Sequence, residues 1–76
     1  MEEKILELLG NINQEILTYE GDNLFDAGLL DSFLVIDFVA ELEEAFHIDI
    51  DTKYMKEENF KTKEKIFSFM KKILEK

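Results

Sequence analysis

Three stretches of the 76-residue chain place apolar residues at helical spacing, and the sequence contains no Pro to interrupt them. The apolar residues recur at i, i+3, i+4 and i+7, which predicts one apolar stripe on each of three amphipathic helices. The stripes consist of Ile5, Leu8, Leu9, Ile12 and Ile16 in residues 2–17, of Val35, Phe38, Val39, Leu42 and Phe46 in residues 33–46, and of Ile66, Phe69, Met70 and Ile73 in the last stretch. Three such helices bury their stripes by packing together, so the sequence predicts an all-α fold.

The segments between the stripes predict turns and short links. Residues 18–31 contain two turn signals, Gly21-Asp22-Asn23 and Asp26-Ala27-Gly28, and therefore predict a long first loop. The large apolar residues of this loop, Leu24, Phe25, Leu29 and Leu30, indicate that it folds back onto the core. Residues 48–51 alternate between apolar and acidic side chains but have no partner segment, so they predict an extended link. Residues 53–59 predict a short helical turn. The expected architecture is a small antiparallel four-helix bundle of three main helices and one short helix, with residues 1–76 forming a single domain.

Helix boundaries are predicted from capping residues. Ser32 is expected to be the N-cap of the second long helix, and Thr62 the N-cap of the last helix, which runs to Leu74. Gly10 lies inside the first stripe and costs up to about 1 kcal/mol relative to Ala, which makes it a candidate break in the first helix.

The charge of the chain is strongly negative and unevenly distributed. Nine Lys, no Arg and 18 acidic residues give a net charge of −9. Residues 1–52 contain 14 acids and one Lys, a net charge of −13, whereas residues 53–76 contain four acids and eight Lys, a net charge of +4. This balance argues against nucleic acid and anionic membranes as partners. The basic region of a signal peptide is missing and the longest apolar run has four residues, so we expect no membrane insertion and a cytoplasmic location.

Composition also excludes several chemistries. The absence of Cys excludes thiol catalysis and Cys-ligated metals, and a single His excludes a multi-His metal site. EF-hand spacing fails from both Asp22 and Asp49, because position 12 is Phe in each case. His47 is expected to sit at the negative end of a helix dipole and not to act as a proton shuttle. A chain this short also has little volume for an enclosed substrate pocket, so a non-enzymatic carrier or adaptor is expected.

The second long helix has a surplus apolar set that its core stripe does not need. Phe33, Ile36 and Ala40 lie on a different face from the stripe, and acids flank them. The acids are Asp37, Glu41, Glu43 and Glu44. Such a set predicts an exposed contact patch, although the acids alone would also suit a simple solvated face.

Ser32 is the candidate residue for a chemical role, either as a nucleophile or as a site of modification. It lacks a nearby His and a Gly-x-Ser-x-Gly context, so a hydrolase nucleophile is poorly supported. It is either a plain capping residue or a residue that carries a modification. The free amides and the partial positive charge of a helix N-terminus suit a phosphate ester, although Asp31 beside it would repel a free phosphate.

The run Leu24-Phe25-Asp26-Ala27-Gly28-Leu29-Leu30-Asp31-Ser32-Phe33 resembles the attachment motif of acyl and peptidyl carrier proteins, and the resemblance extends over essentially the whole chain. It implies a four-helix bundle in which a phosphopantetheinyl transferase transfers 4′-phosphopantetheine from coenzyme A to Ser32, with Asp31 as the preceding acid of the motif. Such a monomeric carrier performs no chemistry itself. It holds an acyl or aminoacyl group as a thioester between a loading ligase and a downstream acyltransferase or synthase. Its partners are expected to bind the second long helix at Phe33, Ile36, Asp37, Ala40, Glu41 and Glu44.

Two questions remain open at the level of the sequence. Leu-Leu-Asp-Ser-Phe resembles the D-alanyl carrier proteins, but the Pro-containing segment and the Trp often found before their last helix are missing. Carriers of fatty-acid, peptide or polyketide pathways therefore stay as alternatives. A different class of function is a helical adaptor that binds a basic partner through its acidic helix and carries no prosthetic group, and a small Ser32 hydrolase is a third.

Overall fold

The computed structural model describes residues 1–75, which form helices, turns and irregular segments without a β-strand in that range. The elements are α1 (Glu2–Ile12), α2 (Glu15–Thr18), α3 (Ser32–Phe46), a 3-10 turn (Thr52–Tyr54), α4 (Glu57–Phe60) and α5 (Lys63–Leu74). α1 packs against α3, and α4 packs against α5. The predicted all-α bundle with three main helices is confirmed, but two short α-helices accompany them in the described range instead of one.

The first predicted helix is divided in two. α1 continues through Gly10, but the predicted helix over residues 2–17 is not continuous. The break lies at Asn13, whose backbone is extended (φ −164°, ψ 113°). Its side-chain oxygen accepts a hydrogen bond from the amide of Glu15 at 3.0 Å, and this local bond competes with continuation of the helix. Ile16 is nevertheless fully buried, so the apolar stripe still reaches the core across the break.

The long first loop folds back onto the core, as predicted. Leu24 and Leu30 are buried, and the other two large apolar residues of the loop are half-buried. Within the loop, the side-chain oxygen of Asn23 accepts hydrogen bonds from the amides of Phe25 (2.9 Å) and Asp26 (3.3 Å). Gly28 supplies the positive φ of 78° that the next turn requires. The loop is therefore an ordered part of the domain.

One backbone hydrogen bond connects this loop to the other end of the chain. The amide of Leu24 donates to the carbonyl oxygen of Lys61 at 2.7 Å. Lys61 lies between α4 and α5, so the bond places the segment that precedes α5 directly beside the first loop. Thr62 then caps α5 by accepting a hydrogen bond from the amide of Lys65 at 3.0 Å, as predicted.

The core is apolar and draws on all the helices and the loop. The buried apolar residues are Ile5, Leu8, Leu9, Ile16, Leu24, Leu30, Val35, Phe38, Val39, Leu42, Ile50, Phe60, Ile66, Phe69 and Met70. Phe60 is fully buried between two other rings, edge-on to Phe38 with centroids 6.3 Å apart and tilted on Phe69 at 5.3 Å. Three residues of the predicted stripes, Ile12, Phe46 and Ile73, are only half-buried because they lie near helix ends.

The end of α3 is closed by the residues that follow it. His47 adopts the left-handed conformation (φ 57°), and its amide donates to the carbonyl oxygen of Glu43. The carboxylate of Glu43 accepts a hydrogen bond from the amide of Ile50 at 2.7 Å. Glu43 therefore holds the link after α3 in place. The predicted irregular link over residues 48–51 is confirmed, since the structure forms no strand there.

Candidate functional site

Ser32 is the first residue of α3, and its side chain is exposed to solvent. The prediction that Ser32 caps this helix is wrong. Asp31 is the N-cap instead, with an extended backbone (φ −151°, ψ −179°) and a carboxylate oxygen that accepts a hydrogen bond from the amide of Leu34 at 2.9 Å. Because Asp31 satisfies the helix end, the Ser32 hydroxyl is left without a hydrogen bond to any of residues 1–75. The hydroxyl is exposed and available for modification.

The chain is anchored on both sides of this serine. Leu30 is buried, and its amide and that of Leu29 donate to the carbonyl oxygen of Leu24 at 3.3 and 3.0 Å. Val35, one turn into α3, is buried as well. The Asp31–Ser32 pair is thus a short exposed segment between two residues held in the core, which gives the hydroxyl a defined position on the surface.

The start of α3 is also electrostatically suited to a phosphate ester. The amides of its first turn point out of the helix without intrahelical acceptors, and the helix dipole places a partial positive charge there. Asp31 opposes this effect with a full negative charge, but its carboxylate is bound to the Leu34 amide. A phosphodiester on Ser32, with a single negative charge, therefore fits the local field better than a free phosphate monoester.

A cleft of about 250 Å³ opens beside Ser32. It is lined by Phe25, Ser32, Val35, Ile36, Met55, Lys56 and Glu57. The first loop, α3 and the segment around the start of α4 therefore meet at this point, and their side chains form an apolar wall with a Lys and a Glu at one side. A larger groove of about 530 Å³ lies between α4 and α5 and does not include Ser32.

Four residues that line the cleft were not predicted from the sequence to belong to the site: Phe25, Met55, Lys56 and Glu57. Met55, Lys56 and Glu57 approach Ser32 only because the chain folds back on itself over 23 to 25 residues, and no local pattern signals such a contact. The one signal available was the apolar character of Phe25, which predicted packing on the core but not its place beside the serine.

The surplus apolar residues of α3 are exposed, as predicted. The exposed fraction is 79% for Phe33 and 53% for Ile36. Phe33, Asp37, Ala40 and Glu44 are all exposed and recur at i, i+4, i+7 and i+11, so they form one stripe along the helix, which we call the acidic stripe. Ile36 lies to one side of it, in the cleft beside Ser32.

Two of the flanking acids are placed differently from the acidic stripe. Glu41 is half-buried, unlike the exposed Glu44, although both line a groove toward α1 together with Lys4 and Leu8. Glu43, also half-buried, is engaged with the Ile50 amide. The structure therefore brings Asp37 and Glu44 together with the exposed apolar residues, while Glu41 lies at the margin and Glu43 serves the fold.

Residues 1–75 contain neither a helix that could cross a membrane nor a cluster of candidate metal ligands. The helices in this range are too short or too polar to cross a bilayer. The same residues contain no cluster of three His, Asp or Glu side chains that could hold a metal ion.

Comparisons with known proteins identify the family. Residues 2–58 match the family model described as the phosphopantetheine attachment site. The chain is 31% identical over 74 residues to the D-alanyl carrier protein of Streptococcus uberis, covering 96% of this chain and 94% of that protein. It is 33% identical to the D-alanyl carrier proteins of Lactobacillus acidophilus over 63 residues (82% of this chain and 80% of that protein) and of Streptococcus suis over 69 residues (90% and 87%). No solved structure gave a significant match. The chain belongs to the phosphopantetheine-binding family and is a carrier protein, which holds an acyl or aminoacyl group on a covalently attached 4′-phosphopantetheine.

Proposed function

We propose that the 4′-phosphopantetheine arm is attached to the hydroxyl oxygen of Ser32 and that residues 1–76 form one carrier domain. The observation that carries the proposal is the exposed Ser32 hydroxyl at the start of α3, left free because Asp31 caps the helix. The motif Asp31-Ser32-Phe33 lies within the range matched by the family. The other serine, Ser68, lies within α5 and outside that range.

The residues around Ser32 fit the prosthetic group. The N-terminus of α3 favours the phosphodiester, and the apolar wall of the cleft offers Phe25, Val35 and Met55 to the methyl-bearing part of the arm. When bound, the arm supplies a terminal thiol that holds the transported group as a thioester, a function that this chain cannot perform itself because it has no Cys.

The protein's role in this proposal is to present the arm, and the chemistry belongs to its partners. A phosphopantetheinyl transferase loads the arm from coenzyme A, a ligase attaches the transported group, and a downstream acyltransferase or synthase removes it. Tethering raises the effective concentration of the group at each enzyme without any catalysis by the carrier. Because coenzyme A is a cytoplasmic metabolite, the proposal places this cycle in the cytoplasm.

We further propose D-alanine as the transported group. The relatives named above are D-alanyl carrier proteins, and the match to the S. uberis protein runs over nearly the whole of both chains. Fatty-acid, peptide and polyketide pathways are the alternatives that a test must separate.

The acidic stripe of α3 is the proposed contact surface for the partner enzymes. Exposed Phe33 and Ile36 supply apolar contact next to the attachment point, and Asp37 and Glu44 supply charge along the same helix. Ala40 leaves room for a partner side chain between them, and Glu41 lies at the margin toward α1. Charges arranged in this way accelerate association with a basic partner in a salt-dependent manner.

Intact-mass measurement tests the attachment site. We expect the protein to gain one phosphopantetheine mass after incubation with coenzyme A and a broad-specificity phosphopantetheinyl transferase. Ser32→Ala should gain none, whereas Ser68→Ala, which removes the other serine, should gain the full mass. Loading of Ser32→Ala, or no loading of the wild-type protein, would contradict the proposal, and the second result would favour the helical adaptor.

The transported group is tested on the loaded protein. With ATP and a D-alanine-activating ligase, the holo protein should gain one alanyl mass that hydroxylamine removes, as expected of a thioester. Octanoate supplied with an acyl ligase is the matched comparison. Efficient loading with octanoate and none with D-alanine would overturn the proposed transported group while leaving the attachment at Ser32 intact.

A further inference from the structure

The cleft beside Ser32 contains a cation in a part of the molecule that is otherwise acidic. Residues 1–52, which include Ser32, carry 14 acids and one Lys. The cleft brings in Lys56 from the positively charged C-terminal third of the chain, together with Glu57. These two side chains and Ser32 line the same volume of about 250 Å³.

We propose that Lys56 is a positioning residue for the prosthetic group, whose ammonium pairs with the phosphodiester on Ser32 and holds the first part of the arm in the cleft. The inference rests on the proposed attachment to Ser32. It assigns to the segment before α4 a role in controlling where the arm lies when no partner enzyme is bound.

Lys56 is free to make this contact. Its side chain has no hydrogen bond or ion pair with the described residues, and it is exposed. Its backbone, in contrast, is well held, because its amide donates to the carbonyl oxygen of Tyr54 at 2.9 Å and its carbonyl oxygen accepts from the amide of Asn59 at 3.0 Å. A substitution of the side chain therefore leaves the segment in place.

The other charges around the cleft favour Lys56 as the partner of the phosphodiester. Asp31 and Glu57 both repel a negative charge on Ser32, and Lys56 is the cation that lines the cleft together with Ser32 and can offset them. Lys53, three residues earlier, lies over the ring of Tyr54 at 5.2 Å from its centroid and lines a different groove. Lys53 is therefore a matched control with the same charge.

We expect Lys56 to raise the fraction of molecules in which the arm lies in the cleft, without fixing the arm there. An exposed ion pair changes an equilibrium by about fivefold or less, so the arm would exchange between the cleft and solvent. Such a weak bias keeps the thiol available to partner enzymes and makes the contact sensitive to salt.

Nuclear magnetic resonance of the loaded protein tests the inference. The arm is transferred from coenzyme A labelled with ¹³C and ¹⁵N in the pantetheine part, and wild type, Lys56→Gln and Lys53→Gln are compared. In the wild-type protein, loading should shift the backbone amides of Met55–Glu57, and the arm amide nearer the phosphate should show restricted motion. The chemical-shift changes and the restriction of the arm should both be smaller in Lys56→Gln and in 1 M salt. Both should be unchanged in Lys53→Gln.

The outcomes separate this inference from the attachment site. Intact mass first establishes that each protein carries the arm. A wild-type protein that is not loaded would count against attachment at Ser32 and would not bear on Lys56. If the loaded wild-type protein shows no shift at Met55–Glu57, or if Lys56→Gln and Lys53→Gln behave alike, the inference is overturned. Glu57→Gln provides an independent check, because removing its repulsion should increase the restriction of the arm.

Discussion

At the scale of single residues, the proposed attachment site depends on a division of roles between two neighbours. Asp31 caps α3 through the Leu34 amide, and Ser32, which could have capped the helix itself, keeps its hydroxyl free. A phosphodiester on a capping oxygen would have to compete with the backbone amides for that oxygen. Placing the cap one residue earlier removes the competition and leaves the Ser32 oxygen exposed.

Substitution of Asp31 separates its capping role from its charge. Asp31→Ala should destabilise the protein by about 1 kcal/mol because the cap is lost, whereas Asp31→Asn should be within a few tenths of a kcal/mol of the wild type. Urea denaturation of the apo proteins measures both values. If the two variants are equally destabilised, the cap is not the source of the effect. A slower transfer of the arm to Asp31→Asn, at unchanged stability, would show a separate role for the charge in binding the transferase.

At the scale of elements, α3 presents two faces with different tasks. One face buries Val35, Phe38, Val39 and Leu42 in the core, and the opposite face carries the acidic stripe. The helix therefore links the proposed attachment point at its first residue to the proposed contact surface along its length. A partner that binds the stripe is automatically placed beside Ser32.

Charge reversal on this face should slow loading of the arm. Asp37→Lys combined with Glu44→Lys should reduce kcat/KM of the phosphopantetheinyl transferase by about tenfold at low salt, and by less at high salt, because electrostatic attraction is lost. Glu64→Lys in α5 combined with Glu75→Lys at its C-cap is the control, since it changes the net charge by the same amount away from α3. Equal effects of the two double variants would show that only the net charge matters, and circular dichroism checks that both remain helical.

At the scale of the whole molecule, a small core supports an unevenly charged surface. The helices α3, α4 and α5 meet at Phe60, whose ring contacts those of Phe38 and Phe69. The bond between Leu24 and Lys61 passes beside this cluster and connects the acidic and basic parts of the chain. The cleft next to Ser32 exists only while this arrangement is intact, because its walls come from both parts.

Truncation of Phe to Ala should reduce stability at one position and partner binding at another. Phe60→Ala should destabilise the domain by about 3–5 kcal/mol because it leaves a cavity in the core, a large part of the roughly 4–11 kcal/mol expected for a chain of this length. Phe33→Ala should change stability by less than about 0.5 kcal/mol, since the ring is 79% exposed, but it should weaken binding to the transferase. Thermal unfolding and transferase KM check the two effects, and a comparable loss of stability in both variants would contradict this assignment.

Much of the secondary structure and of the exposed site follows from local patterns. The three apolar stripes predicted the three main helices, and the surplus of Phe33 and Ile36 predicted an exposed patch. The predicted helix boundaries are wrong where two local preferences compete. Asn13 breaks the first helix although the stripe continues through it, and Asp31 caps α3 although Ser32 is equally suited to do so.

The amino-acid sequence by itself determined the helical class, the burial of the loop leucines and the motif at Ser32, because each depends on the spacing and chemistry of residues close together in the chain. Only the tertiary structure decided that Lys56 lies beside Ser32 and that Leu24 is bonded to Lys61. It also decided that Glu43 accepts a hydrogen bond from the Ile50 amide while Glu44 faces solvent. These contacts depend on how the helices and the loop pack against one another, and the periodicity of a single helix carries no information about which distant residues its ends will meet.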